Sequence, residues 1–317
     1  MRKEERGFDI LGLGAVAVDD LIYVESYPPP DVKSKVLRRE RHCGGLTATA
    51  LVTAARLGCR CAYAGVLGFD ELSHIVLEVL KQEGIDLSYL VREEGARPVY
   101  STIIVDEGEK TRNIFFDLHA VMGAHPELPE PDTIRKARVL FVDHIGVKGM
   151  VRASRVAREA GIPVVGDFES NESPDFADLL GLVDHLIISR AFAARLCGET
   201  EPAMATRKLW SKGREVVIVT CGAEGCWYLE ASHRESPIHH PAFSVKGVDT
   251  TGCGDVFHGA YAWGLTQGMG LPERVRFASA AAALKATQPG GQKGVPTRPM
   301  VEAFLKGGTE DGLCDYR

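Results

Sequence analysis

The 317-residue chain lacks the features that mark several large classes of protein. No segment approaches the roughly 18 uninterrupted apolar residues of a membrane-spanning helix, so we expect no membrane partner. The N-terminus, MRKEERGFDI, is followed by no apolar core before Asp19 and Asp20, which argues against a secretory signal. The net charge of −6 comes without a long Lys/Arg run, so we expect no nucleic-acid partner. These absences predict a cytoplasmic protein whose ligands are small molecules.

The eight cysteines are numerous, but they lack the spacing of metal-binding or disulfide frameworks. They occur as CRC at 59–61, as CGAEGC at 221–226 and as single residues, and no CxxC…CxxC or Cys/His zinc pattern is present. We therefore expect reduced thiols, mostly small core residues, in a reducing compartment. The composition, 45% hydrophobic and 25% charged, is otherwise that of a globular protein.

From the middle of the chain onward, short β-branched runs alternate with helical stretches. The predicted strands are 138–143, 162–167, 185–189 and 214–220, and the predicted helices are 153–160, 175–181, 191–198 and 204–213. Continuous apolar strands separated by helices indicate a buried parallel sheet with right-handed crossovers. The predicted fold class is therefore α/β, doubly wound around a mostly parallel sheet.

The first 120 residues follow a different pattern, with extended segments that have one polar and one apolar face. Segments 99–106 and 110–118 predict a hairpin around DEGEK. With the extended segments near 15–42 and 97–118, it predicts a small antiparallel sheet that projects from the main domain as a lid. Inserted strands leave no clean boundary, so we expect a single domain, 1–317. The lid sheet could also join two copies as a homodimer.

The segment VDTTGCGDVFHGA, at 248–260, places two glycines around a cysteine where a loop becomes a helix. Free backbone N–H groups and the helix dipole at such a point suit a phosphoryl group. Asp255, in the first turn, would then be placed as a general base for an incoming hydroxyl. The alternative is that Asp255 only caps the helix and the glycines permit the turn. This segment alone does not decide between the two.

The segment CGGLTATALVTAARLG, at 43–58, begins with the glycine pair Gly44 and Gly45 and continues as a helix of small residues. Paired glycines let the backbone approach a ligand closely. The alternative is a buried helix with a flexible start.

The segment GLGAVAVDD places Asp19 directly after a strand. A carboxylate there can bind vicinal sugar hydroxyls through both of its oxygens. The glycines also fit a loose dinucleotide-binding pattern, but the chain continues extended where that motif needs a helix, which argues against a nicotinamide or flavin site.

Taken in order and spacing, these segments resemble the signatures of the ribokinase-like (PfkB) carbohydrate kinases over essentially the whole chain. DTTGCGDVFHGA is similar to the C-terminal signature, Asp-Thr-x-Gly-Ala-Gly-Asp, and GGLTATALVTAARLG is similar to the N-terminal one. VTCGAEG (219–225) and ATQPGGQKGVPT (286–297) fall where the nucleotide segments of that family would be. The resemblance implies a three-layer α/β sandwich with a β-sheet lid, and ATP- and Mg²⁺-dependent phosphorylation of a primary sugar hydroxyl.

The resemblance also implies roles for individual residues. The catalytic set comprises the base Asp255 and an anion hole formed by the backbone of Gly252, Cys253 and Gly254. The sugar-binding set is Asp19, Gly44, Gly45, Thr49 and Arg112. The set along ATP is Thr220, Gly222, Gly225 and Gly290. Asp249 and Thr251 could contribute to the K⁺ site that some members possess.

The chain departs from the family pattern at three places. Cys253 replaces an alanine of the C-terminal signature, a small-for-small change that we expect to be passive, although a thiol at a helix N-terminus can be redox-sensitive. Thr49 stands where an asparagine is usual, which leaves the identity of the sugar open. Arg190 and Ala193 replace the Asn-x-x-Glu element that organises Mg²⁺, and Arg190 could approach the triphosphate or lie in solvent.

Several alternatives stay open at this point. Lys285 could extend to solvent or contact nucleotide, and Arg112 could reach the transferred phosphate or lie on a solvated face. The closest resemblance is to bacterial sugar kinases of the sulfofructose kinase and ketohexokinase type. A nucleoside kinase on the same fold and a non-catalytic sugar or nucleotide sensor are the alternative functions.

Overall fold

The computed structural model describes residues 7–233 and 236–307, so both ends of the predicted domain 1–317 lie outside the described residues. Strands, numbered in chain order, are β1 (Ile10–Leu13), β2 (Ala17–Val24), β3 (Val36–Gly44), β4 (Cys61–Tyr63), β5 (Gly65–Leu67), β6 (Val91–Arg92), β7 (Val99–Asp106), β8 (Thr111–Asp117), β9 (Gly123–Ala124), β10 (Val139–Val142), β11 (Val164–Asp167), β12 (His185–Ser189), β13 (Val216–Thr220), β14 (Cys226–Glu230) and β15 (Ile238–His240). Helices are α1 (Leu46–Arg56), α2 (Glu71–Gln82), α3 (Pro131–Arg135), α4 (Val147–Glu159), α5 (Phe176–Leu182), α6 (Arg190–Cys197), α7 (Pro202–Lys208), α8 (Cys253–Thr266), α9 (Leu271–Ala286) and α10 (Arg298–Gly307).

The large sheet has the strand order β15-β14-β13-β12-β11-β10-β1-β4. The pairings from β4 across to β13 are parallel, and β14 and β15 add an antiparallel edge. Strands β1, β10 and β11 are buried along their whole length, as parallel strands covered on both faces must be. The predicted doubly wound, mostly parallel fold is confirmed.

Helices cover both faces of this sheet, and alternate residues of one strand point to opposite layers. In β10, Val139 and Phe141 pack into the core shared with α1, α8 and α9, while Leu140 and Val142 pack into the core shared with α4, α5 and α6. Helices α1 and α8 touch through small residues, because a Cβ atom at Gly259 would overlap the carbonyl oxygen of Ala50. None of the described helices is long and apolar enough to cross a membrane.

Two helices differ from their predicted bounds for local reasons. Helix α4 begins at Val147 rather than at 153, because Gly146, at φ 88°, starts it and Gly149 lies within it. A side chain at Gly149 would collide with His125, so this glycine serves packing. Helix α7 ends at Lys208 rather than at 213, and a loop containing Gly213, at φ 89°, leads to β13.

The smaller sheet has the order β3-β2-β7-β8 and contains the segments predicted to form the lid. The β7–β8 hairpin is confirmed, and β2–β3 is also antiparallel. The prediction of a wholly antiparallel sheet is wrong at one position, since β2 pairs with β7 in parallel. The reason is that the chain passes through α1 and α2 between the two strands, a crossover that a parallel pair requires. A third sheet, β6-β5-β9, is small.

Candidate active site

Helix α8 begins at the glycine segment, and its first turn carries Asp255. Gly252 precedes the helix at φ 77°, a left-handed conformation that glycine adopts without strain, and no side chain caps this end. The half-buried Asp255 carboxylate has no hydrogen bond among the described residues. The interpretation of Asp255 as a helix cap therefore lacks the hydrogen bond that a cap would make.

The backbone amides at this end of α8 are only partly engaged. The Cys253 amide donates to the carbonyl oxygen of Thr250 at 3.2 Å. The amides of Gly252 and Gly254 have no backbone acceptor in the described hydrogen bonds, and a Cβ at Gly254 would meet open space. Unpaired N–H groups at a helix start form an anion site, so Gly252 and Gly254 are the better donors of the three predicted ones.

Burial raises the pKa of Asp255 well above its ordinary value, and the charges of Asp167 and Glu169 raise it further. Asp167 ends β11 with its Oδ2 buried and without a hydrogen-bond partner. His258 lies between these groups, with ring nitrogens 2.7 Å from the Gly254 carbonyl and 2.9 Å from the Ile187 carbonyl. A carboxyl whose pKa is raised in this way is a stronger proton acceptor once ionised.

The loop before α8 is fixed by Asp249. Its carboxylate accepts hydrogen bonds from the amide of Thr251 and the amide of Gly290, both at 2.8 Å. Burial acts to raise the pKa of Asp249, but these bonds and the nearby Lys285 charge hold it below its ordinary value. Across this loop, Arg112 of β8 donates to the Thr251 hydroxyl at 2.6 Å. Arg112 thus joins the small sheet to the loop 249–254, here called the anion loop, while its side chain stays partly exposed to solvent.

The expectation that Lys285 extends to solvent is wrong. Its side chain is fully buried, and its Nζ donates to the carbonyl oxygen of Asp249 at 2.8 Å and to that of Gln288 at 3.2 Å. Lys285 lies on the buried face of α9, and its ammonium group lies beneath the loop 249–254.

Asp19 and the glycine pair come together where the small sheet meets α1. Asp19 faces Ser101 of the adjacent strand β7, and a Cβ at Gly44 would lie 3.0 Å from Asp19 Oδ2. Burial raises the pKa of Asp19, while a hydrogen bond from Ser101 and the charges of His42 and Arg112 oppose this. The side chain is therefore a partly desolvated carboxylate beside open backbone, which suits vicinal hydroxyls.

Gly45 is required by space as well as by backbone conformation. It has φ 95°, and a Cβ there would lie 2.6 Å from the Ala15 carbonyl oxygen and 2.7 Å from Val16 Cα. Gly58 offers a matched control, with φ 103° and nothing within 4 Å of a Cβ.

We expect Gly45→Ala to destabilise the fold more than Gly58→Ala. The second change costs backbone strain alone, about 1 to 2 kcal/mol, and the first adds a backbone collision worth at least about 1 kcal/mol more. Urea unfolding of both variants against wild type measures the two losses. Equal losses would contradict the collision.

Thr49 and Gly290, which the resemblance places at the sugar and along ATP, both make contacts near the loop before α8. Thr49 is buried, and its hydroxyl contacts the amide nitrogen of Gln292 at 3.4 Å, so it is turned toward the 288–297 loop. Gly290, at φ 77°, lies against Asp249 and against His42 of β3. Both positions support the anion loop, and Gln292 also reaches the Gly44 carbonyl at 3.3 Å.

The residues predicted along the nucleotide lie at the end of β13. Thr220 ends this strand, and Gly222–Glu224 form a 3₁₀ turn in which Gly222 faces open space. Gly225, at φ 92°, is needed because a side chain there would overlap His240. Arg190 forms an ion pair with Glu224 of this turn. Its guanidinium is therefore already paired with a carboxylate at the surface.

Cys253 does not have the properties of a reactive thiol. Burial raises its pKa, with Asp249 and Asp255 acting in the same direction and Lys285 opposing them. The seven cysteines in the described ranges, 7–233 and 236–307, are all free thiols. A passive role as a small residue fits this setting.

Ser101, Asp167 and Gln292 lie beside predicted site residues, and the sequence analysis did not single them out. Ser101 faces inward through the strand period of β7, and Asp167 ends a predicted strand beside Asp255's helix. The end of a parallel strand is a signal that would have identified Asp167, because polar residues there face the ligand crevice. Gln292 carries no comparable signal.

Comparison with known proteins covers nearly the whole chain. Residues 9–298 match the family described as pfkB family carbohydrate kinase. A ribokinase from Haemophilus influenzae is 27% identical over 312 residues, 93% of this chain and 97% of the relative. A fructokinase from Solanum tuberosum is 28% identical over 283 residues, 84% of this chain and 86% of the relative.

Solved structures show the same fold. The ribokinase of Arabidopsis thaliana, solved with ribose and ATP, is 24% identical with a TM-score of 0.84 and covers 94% of this chain and 99% of its own. An Escherichia coli protein in complex with ATP and Mg²⁺ is 20% identical with a TM-score of 0.80 and covers the same shares. The predicted fold, family and enzyme class are thereby confirmed: the chain belongs to the pfkB family of carbohydrate kinases.

Proposed function

We propose that the protein transfers the terminal phosphoryl group of ATP to a primary hydroxyl of a sugar. Asp255 accepts the hydroxyl proton, and the amides at the start of α8 stabilise negative charge on the group in transfer. The observation that carries this proposal is the free carboxylate of Asp255 beside amides that lack acceptors. An acid that served only as a cap would have used its oxygens on those amides.

ATP and Mg²⁺ are the cofactors of the proposed reaction. The open space at Gly222 supports a nucleotide position against the end of β13. No group of three or more metal-binding side chains occurs in the described ranges, so Mg²⁺ would be carried mainly by the triphosphate. The carboxylates that could hold it are Glu169 and Asp167, whose buried Oδ2 has no hydrogen-bond partner and lies 3.3 Å from His258 Nδ1. When bound, Mg²⁺ neutralises charge on the phosphates.

The small sheet acts as the lid in this proposal, with its strands inserted at about 15–42 and 97–118 of a single domain, 1–317. Asp19 of β2 orients the sugar, and Gly44 and Gly45 let it approach the backbone. Arg112 of β8 already reaches the anion loop at Thr251, which is the contact expected of a closed lid. Closure would exclude water from the phosphoryl group.

A panel of ketoses, aldoses, nucleosides and 2-keto-3-deoxy sugars, with ADP release as the readout, tests the function and its alternatives. We expect turnover with a ketose or a pentose, because the similar proteins are described as fructokinases and ribokinases. Turnover on adenosine or cytidine alone would support the nucleoside kinase. Calorimetric ATP binding without turnover on any compound would support the sensor. Either result would overturn the proposal.

Two further parts of the proposal concern assembly and compartment. Edge strand β8 exposes Ile114, Phe115 and Phe116, an apolar patch that supports a homodimer formed through the lid. Sedimentation equilibrium measures this state. A cytoplasmic location is the second part of the proposal, because this compartment supplies ATP and keeps thiols such as the described free cysteines reduced.

A further inference from the structure

Lys285 is a buried cation that has no anionic partner among residues 7–233 and 236–307. Its side chain has no exposed surface, and no carboxylate in the described part of the chain lies within ion-pair distance of Nζ. The two acceptors of Nζ are the main-chain carbonyl oxygens of Asp249 and Gln288. Burial lowers the pKa of Lys285, which is the cost of desolvating its charge.

The ammonium lies beneath the loop that leads into the anion site. The titratable groups that act on its charge are Cys253, Asp249, Arg112 and Asp255, all of which belong to that loop, to the start of α8 or to the lid. The Asp249 carbonyl that it binds is three residues before Gly252, so Lys285 fixes the backbone that presents the unpaired amides.

Packing of the 288–294 segment encloses the ammonium. A Cβ at Gly294 would lie 2.9 Å from Gln288 Cβ and 3.0 Å from Lys285 Cδ, so only glycine lets this segment close over the lysine stem. On the other side of the loop, the two carboxylate oxygens of Asp249 accept hydrogen bonds from the amides of Thr251 and Gly290.

These contacts do not fit the K⁺ ion that the resemblance implied for Asp249 and Thr251. K⁺ needs several oxygen ligands, and here the carbonyl oxygens of Asp249 and Gln288 already face an ammonium group. The carboxylate oxygens of Asp249 are engaged as well. An ammonium and a K⁺ ion carry the same charge and accept the same oxygen donors, so one replaces the other.

We propose that the Lys285 ammonium is a built-in monovalent cation, which orders the 249–254 loop and places permanent positive charge beneath the anion site. Lys285 is a positioning residue, because it acts through the loop and touches no reacting atom. The enzyme therefore needs no K⁺. The part of this proposal that concerns catalysis rests on the proposed function, while the part that concerns cation binding does not.

The test compares wild type, Lys285→Met and the control Lys148→Met in KCl, NaCl and tetramethylammonium chloride at equal ionic strength. Lys148 is an exposed lysine of α4, so its change removes the same charge from the surface. We expect the melting temperature and kcat of wild type to be the same in all three salts. Lys285→Met should lose at least about tenfold in kcat with little change in sugar KM, and methylammonium or K⁺ should restore part of the loss. Lys148→Met should behave as wild type.

Stimulation of wild type by K⁺, or an increase in its melting temperature specific to K⁺, would overturn the proposal. Full activity of Lys285→Met, or an equal loss in Lys148→Met, would do the same. If Lys285→Met fails to fold, the wild-type comparison decides between the two outcomes. If no sugar is phosphorylated, the proposed function fails, while the melting temperatures, which need no substrate, still decide whether the site takes K⁺.

Discussion

Asp255→Asn is expected to reduce kcat by at least about two orders of magnitude, the contribution of a positioned general base. Asparagine keeps the shape of the side chain but accepts no proton. The first turn of α8 and its unpaired amides should be unchanged, since no hydrogen bond of the Asp255 carboxylate holds them in the described structure. The binding of ATP should therefore persist, and calorimetry can verify it.

The stability of this variant separates lost chemistry from lost structure. The pKa of Asp255 is raised in the folded state. Its favourable contribution to the free energy of unfolding is therefore present below the unfolded-state pKa and is lost as pH rises through the folded-state pKa. Above the ordinary Asp pKa this group therefore lowers the stability of the folded protein, so Asp255→Asn should melt at or above the wild-type temperature. The difference should shrink as pH falls.

The pH profile provides a second check on the same group. Wild-type kcat/KM should fall toward acid pH, with its midpoint above the ordinary Asp value, because the base must be ionised. Asp178→Asn, a change at an exposed ion pair with Arg155, is the matched control and should retain full activity. An Asp255→Asn enzyme that is nearly as active as wild type would remove Asp255 from the role of base.

Asp19→Ala should reduce kcat/KM for the sugar at least about 100-fold, mainly through KM. Hydrogen bonds to a charged acceptor contribute roughly 1.5 to 3 kcal/mol each, and two vicinal hydroxyls would lose about 3 kcal/mol or more. The KM for ATP should stay near the wild-type value, since Asp19 lies with Gly44 and Ser101 rather than near β13.

Asp20→Ala is the matched control for Asp19. Asp20 is the next residue of β2, points to the opposite face and binds Arg41 and the Tyr100 hydroxyl. Its loss should weaken the small sheet and leave the sugar KM near the wild-type value. Equal increases in KM for sugar and ATP in Asp19→Ala would indicate a general collapse of the lid and contradict a specific sugar contact.

The sequence carries the local parts of this site and misses the parts that depend on tertiary contacts. Gly252 and Asp255 could be identified because a loop-to-helix change with a first-turn acid has a local chemical meaning. Lys285 could not, since only the packing of α9 against the 249–254 loop determines whether its stem ends in solvent or beneath an anion site.

The same distinction applies to the fold. Apolar strands such as β10 predict the parallel sheet, because a strand buried on both faces is apolar at every position. The parallel pairing of β2 with β7 has no such sequence signal. Polar and apolar residues alternate along both strands in the same way whether the partner strand is parallel or antiparallel. Thr49 shows the limit for single residues: its hydroxyl is turned toward Gln292, 243 positions away in the chain.

The contact between α1 and α8, with no room for a methyl group at Gly259, divides the enzyme into parts with different freedom to change. Gly45 precedes α1 and Gly252 precedes α8, so the packing of these two helices connects the two glycine segments. The four strands of the small sheet lie outside it. If the proposed function holds, directed evolution of substrate range should accumulate its changes in those strands, at positions other than Arg112, which contacts Thr251 before α8.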